Sequence, residues 1–167
     1  PDLGLTYVDL PELFAKADVL SLHCPLMEDT HHLINEENIA QMKPGAIIIN
    51  TSRGGLIDTE ALIEGMKQGT VYGAGLDVYE EEGDIFYEDF SGHVIQDDTL
   101  IRLIAMPNVI VTSHQAYLTR EALDNIAYTT IDNIQRLFAG ELNPDTEVCY
   151  HCNRKESCRK ERHKKCF

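Results

Sequence analysis

The sequence contains no run of eighteen apolar residues, which excludes a membrane-spanning helix of ordinary length. Basic residues are scarce outside its C-terminal end: the first 150 residues hold seven Lys and Arg against 26 Asp and Glu, a formal net charge of −19. An acidic body of this kind repels the phosphate backbone, so nucleic acid is not an expected partner. The chain has 167 residues, 43% of them hydrophobic, which is enough for one medium-sized domain with its own core.

Cysteine is nearly absent from the body of the chain, where Cys24 stands alone. The other four cysteines crowd the C-terminal end. A disulfide scaffold is therefore excluded for the main domain, and this pattern favours a reducing, cytoplasmic location.

Strand-like and helix-like segments alternate along the sequence. The β-branched run 47–49 predicts a strand buried on both faces, and after a polar turn Asp58 caps a predicted helix that ends at Gly69. Four such repeats predict a parallel, doubly wound α/β domain. The other predicted strands are 6–8, 19–23, 71–78 and 109–112, and the other predicted helices are 10–17, 35–42, 99–105 and 119–140.

Three chemically active side chains lie just beyond the ends of successive predicted strands: Arg53, Glu82 and His114. The carboxyl ends of parallel strands share one edge of a sheet, where ligands bind in open α/β folds. The guanidinium fork of an arginine matches a carboxylate, and a carboxylate beside an imidazole favours the protonated ring, which can donate a proton to a carbonyl. The set predicts a site for a 2-oxo acid.

Each of these residues also has a simpler interpretation. Arg53 fits a surface arginine after a strand, Glu82 belongs to an acidic run, and His114 fits a hydrogen-bonded histidine at a strand end. The functional interpretation depends on the three occurring together at three strand ends.

Four long motifs occur in order along the chain, at 17–35, 42–58, 75–82 and 107–116. Through them the chain, over about residues 10–143, closely resembles the D-isomer-specific 2-hydroxyacid dehydrogenases, and their fermentative D-lactate branch most of all. The resemblance implies a Rossmann-like nucleotide-binding domain with NAD as the cofactor.

The resemblance also implies catalytic roles. Arg53 would bind the substrate carboxylate and also contact the cofactor, His114 would be the acid/base, and Glu82 would pair with that histidine. Glu80 and Glu81 compete for the last role, and the spacing from the preceding strand motif favours Glu82.

Further implied contacts lie around these three residues. Tyr117 would contact a small substrate, and the segment 83–90 is similar to an insertion of the lactate branch. The residues implied to contact the nucleotide, in addition to Arg53, are Cys24, Pro25, Thr30, Thr51, Ser52 and Asp77.

Parts of the family pattern are missing. Gly73 and Gly75 lie inside a predicted strand with no helix start after them, so they do not form the glycine-rich pyrophosphate loop. No segment matches the family's substrate domain. We therefore expect a C-terminal fragment, with a partial NAD-binding domain over 1–116, a helix over 117–143 whose apolar face is partly uncovered, and a Cys-rich basic tail over 144–167.

The tail contains residue types that bind zinc, but only one Cys-x2-Cys pair has a usual spacing. A disordered basic tail and an out-of-frame end are the alternatives, so no metal site is assigned. The potential ligands are Cys149, Cys152, Cys158, Cys166, His151 and His163.

The resemblance leaves different classes of function open. One is a cytoplasmic NAD-dependent enzyme that reduces pyruvate to D-lactate and forms a homodimer at full length. Another is an NADH-sensing binding protein of the corepressor type, which retains the same three residues without turnover. A third is an interaction module, the basic Cys-rich end, attached to an inactive remnant. The insertion after Glu82 favours the enzyme.

Overall fold

The computed structural model describes residues 4–85 and 94–141. It divides into one compact unit up to Ala116 and a second from Tyr117 onward. The strands of the first unit form one sheet in the order β1-β2-β3-β4, with every neighbouring pair parallel. They are β1 (Val19–Leu22), β2 (Ala46–Asn50), β3 (Val71–Leu76) and β4 (Val109–Val111).

The helices begin where side chains can satisfy their first backbone N–H groups. At each start, a polar side chain accepts a hydrogen bond from an amide of the first turn, which stabilises the helix end. The helices are α1 (Leu10–Lys16), α2 (Glu36–Ala40), α3 (Thr59–Lys67), α4 (Asp98–Ile104) and α5 (Arg120–Ala139). Their capping residues are Asp9, Asn35, Asp58, Asp97 and Thr119.

The hydrophobic core lies on one face of the sheet, where α1 to α4 contribute side chains to the same buried cluster as the strands. Ile48 at its centre is fully buried, whereas Ile47 and Ile49, which alternate with it along β2, are only half-buried. The prediction that this strand is buried on both faces is therefore wrong for this chain. Right-handed crossovers that advance in one direction place every connecting helix on the same face, which leaves the other face of the sheet without a described helix of the first unit.

The strand predicted at 6–8 is also wrong, because these residues have no secondary structure. Tyr7 is 97% exposed, and no described strand pairs with this segment. Local β propensity does not make a strand when no neighbour completes its hydrogen bonds. Most of the predicted 83–90 insertion and all of the Cys-rich tail lie outside the described residues.

The second unit contains α5, a 20-residue helix that ends at Gly140 in the left-handed region (φ 75°). Its apolar side chains, from Leu123 to Phe138, are between 42% and 87% exposed, as expected for an uncovered face. None of the described helices is both long and apolar enough to cross a membrane.

Candidate active site

The turn that carries Arg53 is shaped by the last residue of β2. Asn50 is 1% exposed; its Oδ1 accepts a hydrogen bond from the Ser52 amide (3.0 Å), and its Nδ2 donates to the Arg53 carbonyl (2.9 Å). An amide side chain can do both because it has a donor and an acceptor. Asn50 is not among the predicted site residues, although a polar residue at the end of a buried strand indicates a side chain that shapes the following turn.

The Arg53 side chain is exposed, and its guanidinium donates a hydrogen bond to the Ser52 carbonyl (2.7 Å). In residues 4–85 and 94–141, no carboxylate forms an ion pair with it. The guanidinium therefore has charge and donors to offer a small anion.

Glu82 and His114 are in direct contact. Nδ1 of His114 lies 2.9 Å from Oε1 of Glu82, while Oε2 of Glu82 accepts a hydrogen bond from the Tyr79 amide (3.1 Å). The side chains are 18% exposed for the glutamate and 28% for the histidine, so solvent screens the pair only partly. Glu80 instead contacts a different histidine, His32.

The arginine turn also lies against the segment that carries Glu82. A Cβ atom added to Gly54 would fall within 2.5 Å of the Glu80 amide nitrogen and closer still to the Tyr79 carbonyl, so the two backbones are in direct contact. With β2, β3 and β4 side by side and parallel, the segments that carry Arg53, Glu82 and His114 all leave the same edge of the sheet.

Asp77 holds the backbone around His114. Its carbonyl accepts a hydrogen bond from the His114 amide (2.7 Å), and its carboxylate accepts from the amides of Gln115 (2.9 Å) and Ala116 (2.8 Å) and from the Thr112 hydroxyl. His114 itself is in the left-handed region (φ 49°), which is unfavourable for a residue with a side chain. We infer that Asp77, expected as a nucleotide contact, fixes the conformation of this loop.

The negative charge of the Asp77 carboxylate contributes to holding the His114 loop. Burial alone raises the pKa of Asp77, but the hydrogen bonds from Thr112, Gln115 and Ala116, together with His114 nearby, outweigh it and hold the pKa below its ordinary value of 3.8. The ionised carboxylate is therefore the form that stabilises the folded loop.

We predict that Asp77→Asn lowers the free energy of unfolding by about 1.5–3 kcal/mol at neutral pH, because hydrogen bonds to a charged acceptor are lost. Since the folded pKa is lowered, this contribution is present above the ordinary pKa and disappears as the pH falls through the folded value. Urea unfolding of both proteins should thus show a stability difference at neutral pH that narrows below about pH 4. A stability difference between the two proteins that does not change with pH would contradict a role for the ionised Asp77 carboxylate.

The predicted nucleotide contacts lie after β1 and β2. Cys24 is half-buried, and its carbonyl accepts a hydrogen bond from the Ser52 hydroxyl (2.7 Å), which joins the two strand ends. The Thr30 hydroxyl donates to the Pro25 carbonyl (2.7 Å) and accepts from the Met27 amide (2.8 Å). Thr30 and Ser52 thus shape their loops.

Apolar and hydroxyl groups are exposed at this edge of the sheet. Pro25 and Thr51 are exposed beside half-buried Cys24, giving apolar and hydroxyl groups at the carboxyl ends of two adjacent parallel strands, where open α/β sheets bind nucleotides. Tyr117 is 53% exposed and lies in the second unit. Among the described residues, no group of three or more His, Cys, Asp or Glu side chains could hold a metal.

Comparison with known proteins gives consistent results. Residues 1–116 match the family model described as D-isomer specific 2-hydroxyacid dehydrogenase, NAD binding domain. The chain is 53% identical to the D-lactate dehydrogenase of Escherichia coli (strain K12) over 147 residues, which are 88% of this chain and 45% of that protein.

Solved structures agree. The pyruvate reductase of Chlamydomonas reinhardtii superposes with a TM-score of 0.81 at 44% identity, over 84% of this chain and 44% of the other. The D-lactate dehydrogenase with NAD+ from Lactobacillus jensenii gives a TM-score of 0.75 at 37% identity, over 82% and 41% of the two chains. The chain thus spans less than half the length of these relatives.

Proposed function

The chain belongs to the D-isomer-specific 2-hydroxyacid dehydrogenase family, and we propose that the whole protein uses NADH to reduce a small 2-oxo acid, pyruvate, to the D-2-hydroxy acid. The observation that carries the proposal is the 2.9 Å contact between His114 and Glu82, at the same sheet edge from which the turn of the exposed Arg53 leaves. A proton donor and an anion-binding group are what this reduction requires of the protein.

When bound, NADH would supply the hydride that C2 of the substrate accepts. Arg53 binds the substrate carboxylate and so orients the adjacent carbonyl. Because an ionised carboxylate can only accept a hydrogen bond, Nδ1 of His114 donates a hydrogen bond to Glu82 and keeps its proton. The proton on Nε2 is the one transferred to the carbonyl oxygen, which becomes the hydroxyl. Glu82 holds the ring in the orientation for that transfer through its contact with Nδ1.

The cofactor's adenosine side is proposed to lie against Cys24, Pro25 and Thr51, in loops whose shape depends on Thr30 and Ser52. Tyr117 is proposed as a substrate contact on the family resemblance alone. A cytoplasmic location and a homodimer complete the proposal; the location rests on the single body cysteine, Cys24, and the homodimer on the family resemblance alone.

Assays of the full-length protein test this function. NADH oxidation would be measured with pyruvate and with 2-oxo acids of increasing side-chain size, and the configuration of the product would be determined by chiral separation. Pyruvate turnover that yields the D isomer supports the proposal. Tight NADH binding without turnover of any 2-oxo acid would refute it and favour a binding protein.

The 167-residue chain by itself is predicted not to reduce pyruvate. It contains no glycine-rich pyrophosphate loop and spans less than half the length of relatives such as the E. coli enzyme. The purified chain and the full-length protein would be compared for NADH oxidation at equal concentration. Substantial turnover by the chain alone would show that the residues present here are sufficient.

A further inference from the structure

A second histidine–carboxylate pair lies next to the candidate active site. Nε2 of His32, in the loop before α2, is 2.6 Å from Oε1 of Glu80, in the segment after β3. The side chains are 34% and 24% exposed, respectively. The partners are 48 residues apart in sequence, so the contact joins two distant loops.

The other oxygen of Glu80 is also used. Oε2 accepts hydrogen bonds from the amide (3.0 Å) and the hydroxyl (2.7 Å) of Thr59, the first residue of α3. One carboxylate therefore joins the segment after β3, the start of α3 and the loop of His32. Hydrogen bonds to an ionised acceptor are among the stronger ones in proteins.

The surrounding backbone is closely fitted. His32 is in the left-handed region (φ 50°), and its amide donates to the Gly55 carbonyl (2.9 Å). Gly55 follows Gly54, whose backbone packs against Tyr79 and Glu80. The His32 loop, the arginine turn and the segment 79–82 are thus successive layers at one edge of the sheet.

Glu82 depends on the same short segment. Its amide donates to the Tyr79 carbonyl (3.3 Å), and its Oε2 accepts from the Tyr79 amide, so its carboxylate is held by the backbone that Glu80 fixes. The Tyr79 hydroxyl donates to Asp97 (2.8 Å) and holds the segment from its other side. A displacement of residues 79–80 would therefore move the carboxylate that contacts His114.

We propose that Glu80 is a positioning residue, which fixes the segment 79–82 against α3 and the His32 loop and thereby keeps the Glu82 carboxylate on His114. The inference rests on the proposed function, because it assumes that the Glu82–His114 pair acts in 2-oxo acid reduction. A helix cap alone is the simpler role. However, Asp58 already caps α3 through the Ala61 amide (3.1 Å), and a cap does not require the His32 contact.

Kinetics of full-length variants with pyruvate and NADH separate these roles. Glu80→Ala is expected to lower kcat about tenfold, since small displacements of catalytic groups are costly. If Glu80 acts through Glu82, the same change made in a Glu82→Gln background should have almost no further effect on kcat. Glu81→Ala is the matched control, because Glu81 is an exposed neighbour of the same type, and its kcat should stay within about twofold of wild type.

Two further variants keep the test informative if Glu80→Ala does not fold. Glu80→Gln retains an acceptor for Thr59 and is expected to recover most of the rate. His32→Ala leaves the Thr59 contacts in place, should lower kcat by a smaller factor than Glu80→Ala, and should likewise lose its effect in the Glu82→Gln background.

The outcomes are distinct. Equal losses in the wild-type and Glu82→Gln backgrounds would overturn the inference, and so would a Glu80→Ala protein as active as Glu81→Ala. Failure of the proposed function has another signature: the wild-type protein turns over no 2-oxo acid, or His114→Ala retains the full rate.

Discussion

His114→Ala is expected to lower kcat for pyruvate reduction by about 10²–10⁴-fold in the full-length protein, the usual contribution of a positioned general acid. The imidazole is the group that Glu82 holds at 2.9 Å, and alanine leaves no side chain to donate the proton. The rate in the reverse direction, D-lactate oxidation, should fall by the same factor, because the same group must then accept the proton.

Binding measurements show whether such a loss is specific to proton transfer. The affinity for NADH should change little, since His114 is assigned to the substrate carbonyl. Ser113→Ala, at the exposed neighbouring position, is the matched control and should retain near wild-type turnover. If His114→Ala keeps a rate within a few-fold of Ser113→Ala, His114 is not the acid.

Local sequence signals predict most of the elements of this fold. The predicted cap Asp58 is confirmed, and the helices predicted over 35–42 and 119–140 are found with Asn35 and Thr119 as their caps, because each cap depends on a few neighbouring residues. The proximity of the segment 80–82 to His114 follows from parallel strand order, which a strand–helix repeat predicts. The prediction of a strand at 6–8 is wrong, because strand pairing depends on a neighbouring strand from another part of the chain.

The identity of the histidine's partner is harder to predict from local signals. Three consecutive glutamates follow β3 and have the same side chain, so local sequence does not distinguish them. Only the family resemblance favours Glu82 over Glu80. In the structure a short 3-10 turn, Glu82–Asp84, and the Tyr79 amide direct Glu82 toward His114. Glu80 and His32 are 48 residues apart in two different loops, and no periodicity in the sequence predicts their contact.

Gly54 couples the turn of Arg53 to the segment 79–82, because the two backbones meet at its α-carbon. A Cβ at this position would overlap the Tyr79 carbonyl and approach the Glu80 amide nitrogen to 2.5 Å. These are backbone atoms, which cannot rotate away as a side chain can. Either the turn of Arg53 or the segment of Glu82 would have to move.

Gly54→Ala is therefore expected to lower the free energy of unfolding by about 3 kcal/mol or more, and kcat/KM for pyruvate by at least about 100-fold. Gly55→Ala is the matched control: its added Cβ meets side chains and no backbone, namely the flexible end of Leu26 at 3.1 Å and His31 at 3.7 Å, so both quantities should stay close to wild type. Urea unfolding and steady-state kinetics of the two full-length variants provide the comparison. Equal activity in both would mean that Arg53 and Glu82 are positioned independently, since the overlap at Gly54 forces one of their segments to move.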